Sequence, residues 1–123
     1  STLFPYTTLF RSPRYKMVVM TRPVAGREAE YNDWYQNVHL GEMVALPGFT
    51  SARRYRPVCS LVEGEVAPYL AVYEMETDDV GAALQGLQDA ALGGRLAMSD
   101  ARDDNPAHTF AVVYEEFGPV VSR

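Results

Sequence analysis

Two titratable side chains three residues apart, His39 and Glu42, are the sharpest chemical feature of this 123-residue sequence. An imidazole with an ordinary pKa near 6.5 takes or gives a proton at neutral pH without much tuning. A carboxylate one helical turn further on can orient that ring or share its proton, and burial would raise its own pKa and fit it for acid work. His39 therefore reads as a general base and Glu42 as its orienting or acidic partner. The competing reading has His39 bonded to a loop carbonyl at a helix end, and Glu42 with its carboxylate beyond the pocket rim or paired with Arg53 or Arg54. A metal site from His39, Glu42 and His108 is conceivable. No local motif supports it, so neither a metal nor a cofactor is expected.

Around this pair stand the aromatic residues Tyr31, Trp34, Tyr35, Tyr55, Tyr73 and Phe110. Flat rings with polar edges suit an aromatic or polyketide-like ligand, although ordinary core packing explains any single one of them. The hydroxyls of Tyr55 and Tyr73 are candidate donors to a substrate carbonyl or enolate. Arg54 or Arg53 can neutralise a carboxylate, and a one-residue slip of strand register exchanges them. Arg54 is carried forward in the candidate substrate-binding set, with His108 at the start of the last strand.

Those residues must be held by a short series of elements. Tyr15 to Thr21 (YKMVVMT) reads as a buried strand, closed by Arg22 and Pro23. Arg27 to Leu46 reads as a long helix stopped by Pro47-Gly48. At 100° per residue its apolar stripe takes in Tyr31, Trp34, Tyr35, Val38, Ala45 and Leu46, with Glu42 near mid-stripe, His39 at the edge and Leu40 off the stripe. Phe49 to Arg56 and Tyr69 to Glu76 read as strands. Asp78 or Asp79 caps a helix over Val80 to Leu96, carrying Ala83, Leu84, Leu87, Ala91 and Leu92 at helical spacing. His108 to Phe117 reads as the last strand. The order strand, helix, strand, strand, helix, strand is the ferredoxin-like split βαβ arrangement, an α+β fold with both helices on one face of a four-stranded antiparallel sheet. Every strand is apolar on both faces. The uncovered face, with Val18, Met20, Leu70, Val72, Ala111 and Val113 or the opposite set, calls for a second copy, and a homodimer is expected.

Composition narrows the field. A hydrophobic fraction of 47% with 22% charged residues is that of a globular domain, and no apolar run approaches the roughly 20 residues a bilayer span needs. Eleven Lys and Arg against sixteen Asp and Glu leave a net charge of −5, which repels phosphate backbones and anionic lipid. Nucleic acid and membrane are therefore not expected partners. The lone cysteine, Cys59, fits a reducing cytoplasm.

Glu30 to Tyr55, EYNDWYQNVHLGEMVALPGFTSARRY, resembles the signature of the dimeric α+β barrel superfamily in its branch of small EthD-like proteins, roughly W-Y-x-x-x-H-x-x-E followed by L-P-G-F. The later YLAVYEM and HTFAVVYEEF strands are similar too. The match falls on Trp34, Tyr35, His39, Glu42, Pro47, Gly48 and Phe49, while Gly41 stands where related sequences often have Pro. The resemblance implies a pocket in each monomer between sheet and long helix, with the helical His facing into it. That superfamily spans isomerases, cyclases, dehydratases, cofactor-free monooxygenases and haem-degrading enzymes, so it implies a fold more than a reaction.

Thr2 to Ser12, TLFPYTTLFRS, back-translates codon for codon into a widely used sequencing adapter, which suggests an untrimmed metagenomic read. Residues 1–12 are accordingly expected to lie outside a single domain over 15–119. The functional expectation is a cofactor-independent isomerase, cyclase or dehydratase acting by proton transfer on a small aromatic, lactone or polyketide-like molecule. The alternative is a binding or stress-associated protein that carries a hydrophobic ligand without turning it over. Haem or oxygen chemistry would need a much larger apolar cavity.

Overall fold

A computed structural model describes residues 11–66 and 68–123. Strand β1 (Arg14–Thr21) leads into a helix, α1, made of the segments Glu28–Trp34, Tyr35–His39 and Leu40–Val44 without a break. Strands β2 (Phe49–Tyr55) and β3 (Tyr69–Glu76), helix α2 (Val80–Leu92) and strand β4 (Phe110–Glu115) follow. The sheet order is β2-β3-β1-β4 and every pairing is antiparallel. This is the expected α+β ferredoxin-like βαββαβ fold, because two long-range crossovers each carry a helix back over one sheet face.

The ends of the helices follow from local chemistry. Gly48 takes φ +90 directly after α1, and a Cβ there would stand 2.9 Å from that of Ala83 on α2. Only glycine combines that backbone with so close an approach. Asp79 caps α2 by accepting the Ala82 amide at 2.9 Å. The helix stops at Leu92, short of the expected Leu96, since Gly93 and the left-handed Gly94 end it there. Its buried residues are Ala83 and Ala90, while Leu92 is 80% exposed.

Helix α1 departs from the phase expected of it. Over Tyr35–His39 it widens to a π-turn, and the Leu40 amide bonds to the Tyr35 carbonyl five residues back. One extra residue turns everything beyond it by about 100° relative to a regular helix. Tyr31, Trp34 and Tyr35 are buried as expected, but beyond them the core takes Leu40 and Met43, and Val38 and Ala45 are exposed. The expectation for Leu40, Val38 and Ala45 was inverted for that reason.

Met17, Ala71, Tyr73 and Met75 meet α1 and α2 on the covered face of the sheet. The register pairs Val18 with both Val72 and Val112, and Met20 with both Leu70 and Phe110. The uncovered face therefore carries Phe110 and Val112, whereas Ala111 and Val113 lie opposite Val19 and Met17 on the helix side. Among the described residues no helix is long and apolar enough to cross a membrane. The expectation for residues 1–12 falls mostly outside the described residues; within them, Arg11 Nε lies 3.5 Å from the Glu76 carboxylate.

Candidate active site

The π-turn ends on His39. A cavity of about 280 Å³ lies between sheet and helices. Met17, Val19, Thr21 and Tyr73 form its sheet wall, Trp34, Tyr35, His39 and Met43 its α1 wall, and Leu87 and Ala91 its α2 wall. Leu96, Met98 and Arg102, from the loop after α2, complete its lining with Thr109 and Ala111. An extra helical residue costs hydrogen-bond geometry, and π-turns recur at functional positions because they re-aim a side chain.

The His39 ring stacks on the Trp34 indole with centroids 4.6 Å apart and meets the Tyr35 ring edge-on at 5.0 Å. Trp34 is itself fixed, its Nε1 donating to the Ala97 carbonyl at 2.9 Å. Burial is the largest influence on the imidazole, and the positive charge of Arg102 adds to it. Together they lower the pKa of His39 from 6.5 to about 4 against a weaker upward pull from Glu42. The ring is thus neutral at ordinary pH. Its Nδ1 is enclosed and has no hydrogen-bond partner among the described residues. Leaving a buried polar atom unsatisfied costs roughly 1 to 3 kcal/mol, which a ligand with one donor or acceptor would recover.

Glu42 does not join this group. Its carboxylate accepts the Ala97 amide at 2.8 Å and so ties the loop after α2 to α1. It neither lines the cavity nor pairs with Arg53 or Arg54. The hydrogen-bonded His39–Glu42 pair expected from helical spacing is absent because the turned helix directs the carboxylate to the loop. Metal-type convergence is absent as well: the described residues contain no group of three or more His, Cys, Asp or Glu able to hold an ion.

Of the aromatic set, Trp34, Tyr35 and Tyr73 line the cavity. The Tyr73 hydroxyl donates to that of Tyr35 at 3.5 Å, and burial pushes both phenols upward, so they remain protonated donors. Tyr31 is core, bonded to the Thr21 hydroxyl at 2.6 Å. Tyr55 and Phe110 were expected inside and lie on the uncovered sheet face, since each is one residue out of phase with the inward positions. His108 does not face the cavity. It sits on a 3-10 turn and bonds Asp103 at 2.7 Å through Nδ1. The register settles the arginine question: Arg54 pairs with Ala71 on the helix side, and Arg53 with Val72 on the other. Arg54 is nonetheless outside the cavity, stacked over Tyr35 with 4.7 Å from guanidinium carbon to ring centre.

Chains of known structure share this architecture. One is a proposed monooxygenase from Shewanella loihica PV-4, 16% identical, covering 88% of this chain and 98% of its own, with a TM-score of 0.55. Another is an ethyl tert-butyl ether D (EthD) family protein from Bacillus halodurans C-125, 17% identical, covering 85% and 99%, with a TM-score of 0.58. The fold is that of these α+β proteins. At such identity the likeness concerns the fold alone. No family model matches the chain, and no curated protein matches it.

Sequence reasoning missed most of the apolar lining and, more consequentially, Arg102, the cavity's charged residue. It lines the inner cavity and also an open groove of about 820 Å³ walled by Asp33, Asp100, Asp103 and Asp104, with Trp34 and Met98 shared between the two. It lies in a loop without periodicity, where the sole signal is one cation among acids in the run Ser99 to Asp104.

Proposed function

We propose that this chain is a small cofactor-independent enzyme that moves a proton on a compact, ring-bearing apolar substrate, with His39 as base. The observation that carries this reading is the neutral, unpartnered imidazole in an apolar cavity beside a cation. Cavities near 150 Å³ take benzene, so about 280 Å³ suits one substituted ring or two fused ones. An enol proton would pass to the imidazole and return from the imidazolium to a substrate carbon, leaving the keto tautomer and a neutral His39; the anion between the two transfers would face Arg102, whose charge compensates it. A base with a pKa near 4 is weak, so the site favours substrates whose conjugate base the cavity stabilises. His39→Ala is expected to lower turnover by roughly 100-fold to 10,000-fold on any substrate found by mass spectrometry of molecules that co-purify. A folded His39→Ala protein with full activity would overturn the assignment.

The binding-protein reading draws on Glu42. Its carboxylate is committed to the Ala97 amide, leaving the imidazole without an orienting partner, and a site that only holds its ligand needs none. A second copy packed on Val18, Met20, Leu70, Val72, Phe110 and Val112 belongs to both readings, because Phe110 and Val112 are 39% and 37% exposed on a face no helix covers.

A further inference from the structure

A cleft of about 450 Å³ lies beside the end of β2, lined by Asn32, Gln36, Arg54, Tyr55, Arg56 and Tyr69. None of these residues lines the His39 cavity, and the Tyr35 ring stands between the two. The Arg54 guanidinium is caged by aromatic faces, its carbon 4.7, 5.2 and 5.5 Å from the ring centres of Tyr35, Tyr69 and Tyr31. Its Nη2 donates to Asn32 Oδ1 at 2.7 Å, while Nε is enclosed without a partner among the described residues. The nearby Glu28 carboxylate is engaged by the Tyr69 hydroxyl instead.

Arg11, Lys16 and Arg27 each pair with a carboxylate; Arg54 and Arg56 are among the basic side chains that form no ion pair among the described residues, and what sets Arg54 apart is its aromatic cage and its enclosed Nε. The chain has sixteen acidic residues to offer. Ring faces offset a cation less fully than a carboxylate does, and a caged guanidinium is pre-organised to present its fork. We propose that this cleft is a second ligand site, taking a carboxylate borne on a flat apolar body, with the carboxylate on Arg54 and Arg56 and the body against Tyr55 and Tyr69. It is independent of proton transfer at His39 and stands if that reading fails.

The test titrates the full chain with benzoate and with benzamide, the same ring without the charge, by calorimetry and by amide and side-chain NMR. Benzoate is expected to bind saturably and benzamide about tenfold more weakly or worse. Arg54→Gln should weaken benzoate by about tenfold or more, and Arg56→Gln by roughly three- to tenfold, as loss of a charge-assisted contact does. The Asn32 and Gln36 side-chain amides should shift while the Trp34 indole N–H does not. Because Arg54 packs on three rings, the exposed Arg56 variant keeps the test valid if the Arg54 variant fails to fold. Absence of saturable benzoate binding, equal binding of benzamide, or shifts at the Trp34 indole with the Arg56 variant unaffected would overturn the proposal.

Discussion

Replacing His39 by Gln removes one titration from the folded protein and turns its environment into a measurable pH dependence. In the unfolded chain the imidazole protonates near pH 6.5, and in the folded chain near 4, mainly because it is buried and secondarily because Arg102 is close. As pH falls below 6.5 the unfolded state gains a proton that the folded state refuses. The native protein therefore loses stability over the window from 6.5 down to 4, and the loss is complete below that. At about 1.4 kcal/mol per pH unit the full effect is about 3 kcal/mol, or about 2 to 3 once water reaching part of the ring is allowed for. Urea unfolding of the native protein and of His39→Gln at pH 7.5 and pH 4.5 isolates this contribution, since other groups titrate alike in both. The native protein should lose about 2 kcal/mol more than the variant between those conditions. A gap of the same size at both values would show that His39 titrates normally in the fold, and the neutral-base argument would fall with it.

Gly48→Ala should destabilise by about 2 to 4 kcal/mol, combining a left-handed backbone with the 2.9 Å approach to Ala83; thermal unfolding measures it, and a loss under 1 kcal/mol would contradict the packing of α2 on that turn. Glu42→Ala should cost about 1.5 to 3 kcal/mol through loss of a charge-assisted bond and should speed hydrogen exchange at the Ala97 amide; unchanged exchange there would deny Glu42 its loop-tying role. Val72→Lys, at a half-buried position on the uncovered sheet face, should shift sedimentation from dimer to monomer; a native protein that is monomeric at micromolar concentration would remove the second copy altogether.

How far the sequence could be read depended on which physical signal each element carries. Strand β3 was legible residue for residue, because Tyr69, Ala71, Tyr73 and Met75 alternate with period two and all point to the helices. The first half of α1 was equally plain from Tyr31, Trp34 and Tyr35. The second half was not, since a helical wheel assumes 3.6 residues per turn and nothing in Gln36 or Asn37 announces the extra residue. Strand β2 hid its register for a related reason: a shift between Phe49 and Ser51 breaks the alternation that would have separated Arg53 from Arg54. Arg102 was invisible because loop residues reach a site by tertiary folding alone.

The π-turn links these observations into one argument. Without the extra residue, Tyr35 and Leu40 could not both face the sheet, because five residues of regular helix turn through far more than one full circle. With it, both halves of α1 keep an apolar face inward, and the residue at the end of the turn, His39, is carried against Trp34 and into the cavity wall. Among the described residues the enclosed imidazole nitrogen, Arg54 Nε and Arg22 Nε are polar groups left unsatisfied at the price of stability, and both His39 and Arg54 contact the Tyr35 ring. Folding alone favours filling such positions with apolar side chains. A ligand would recover the hydrogen bonds such groups lack, and two of the three belong to pocket-lining residues, His39 in the inner cavity and Arg54 in the cleft beside β2, which is why the two proposals rest there.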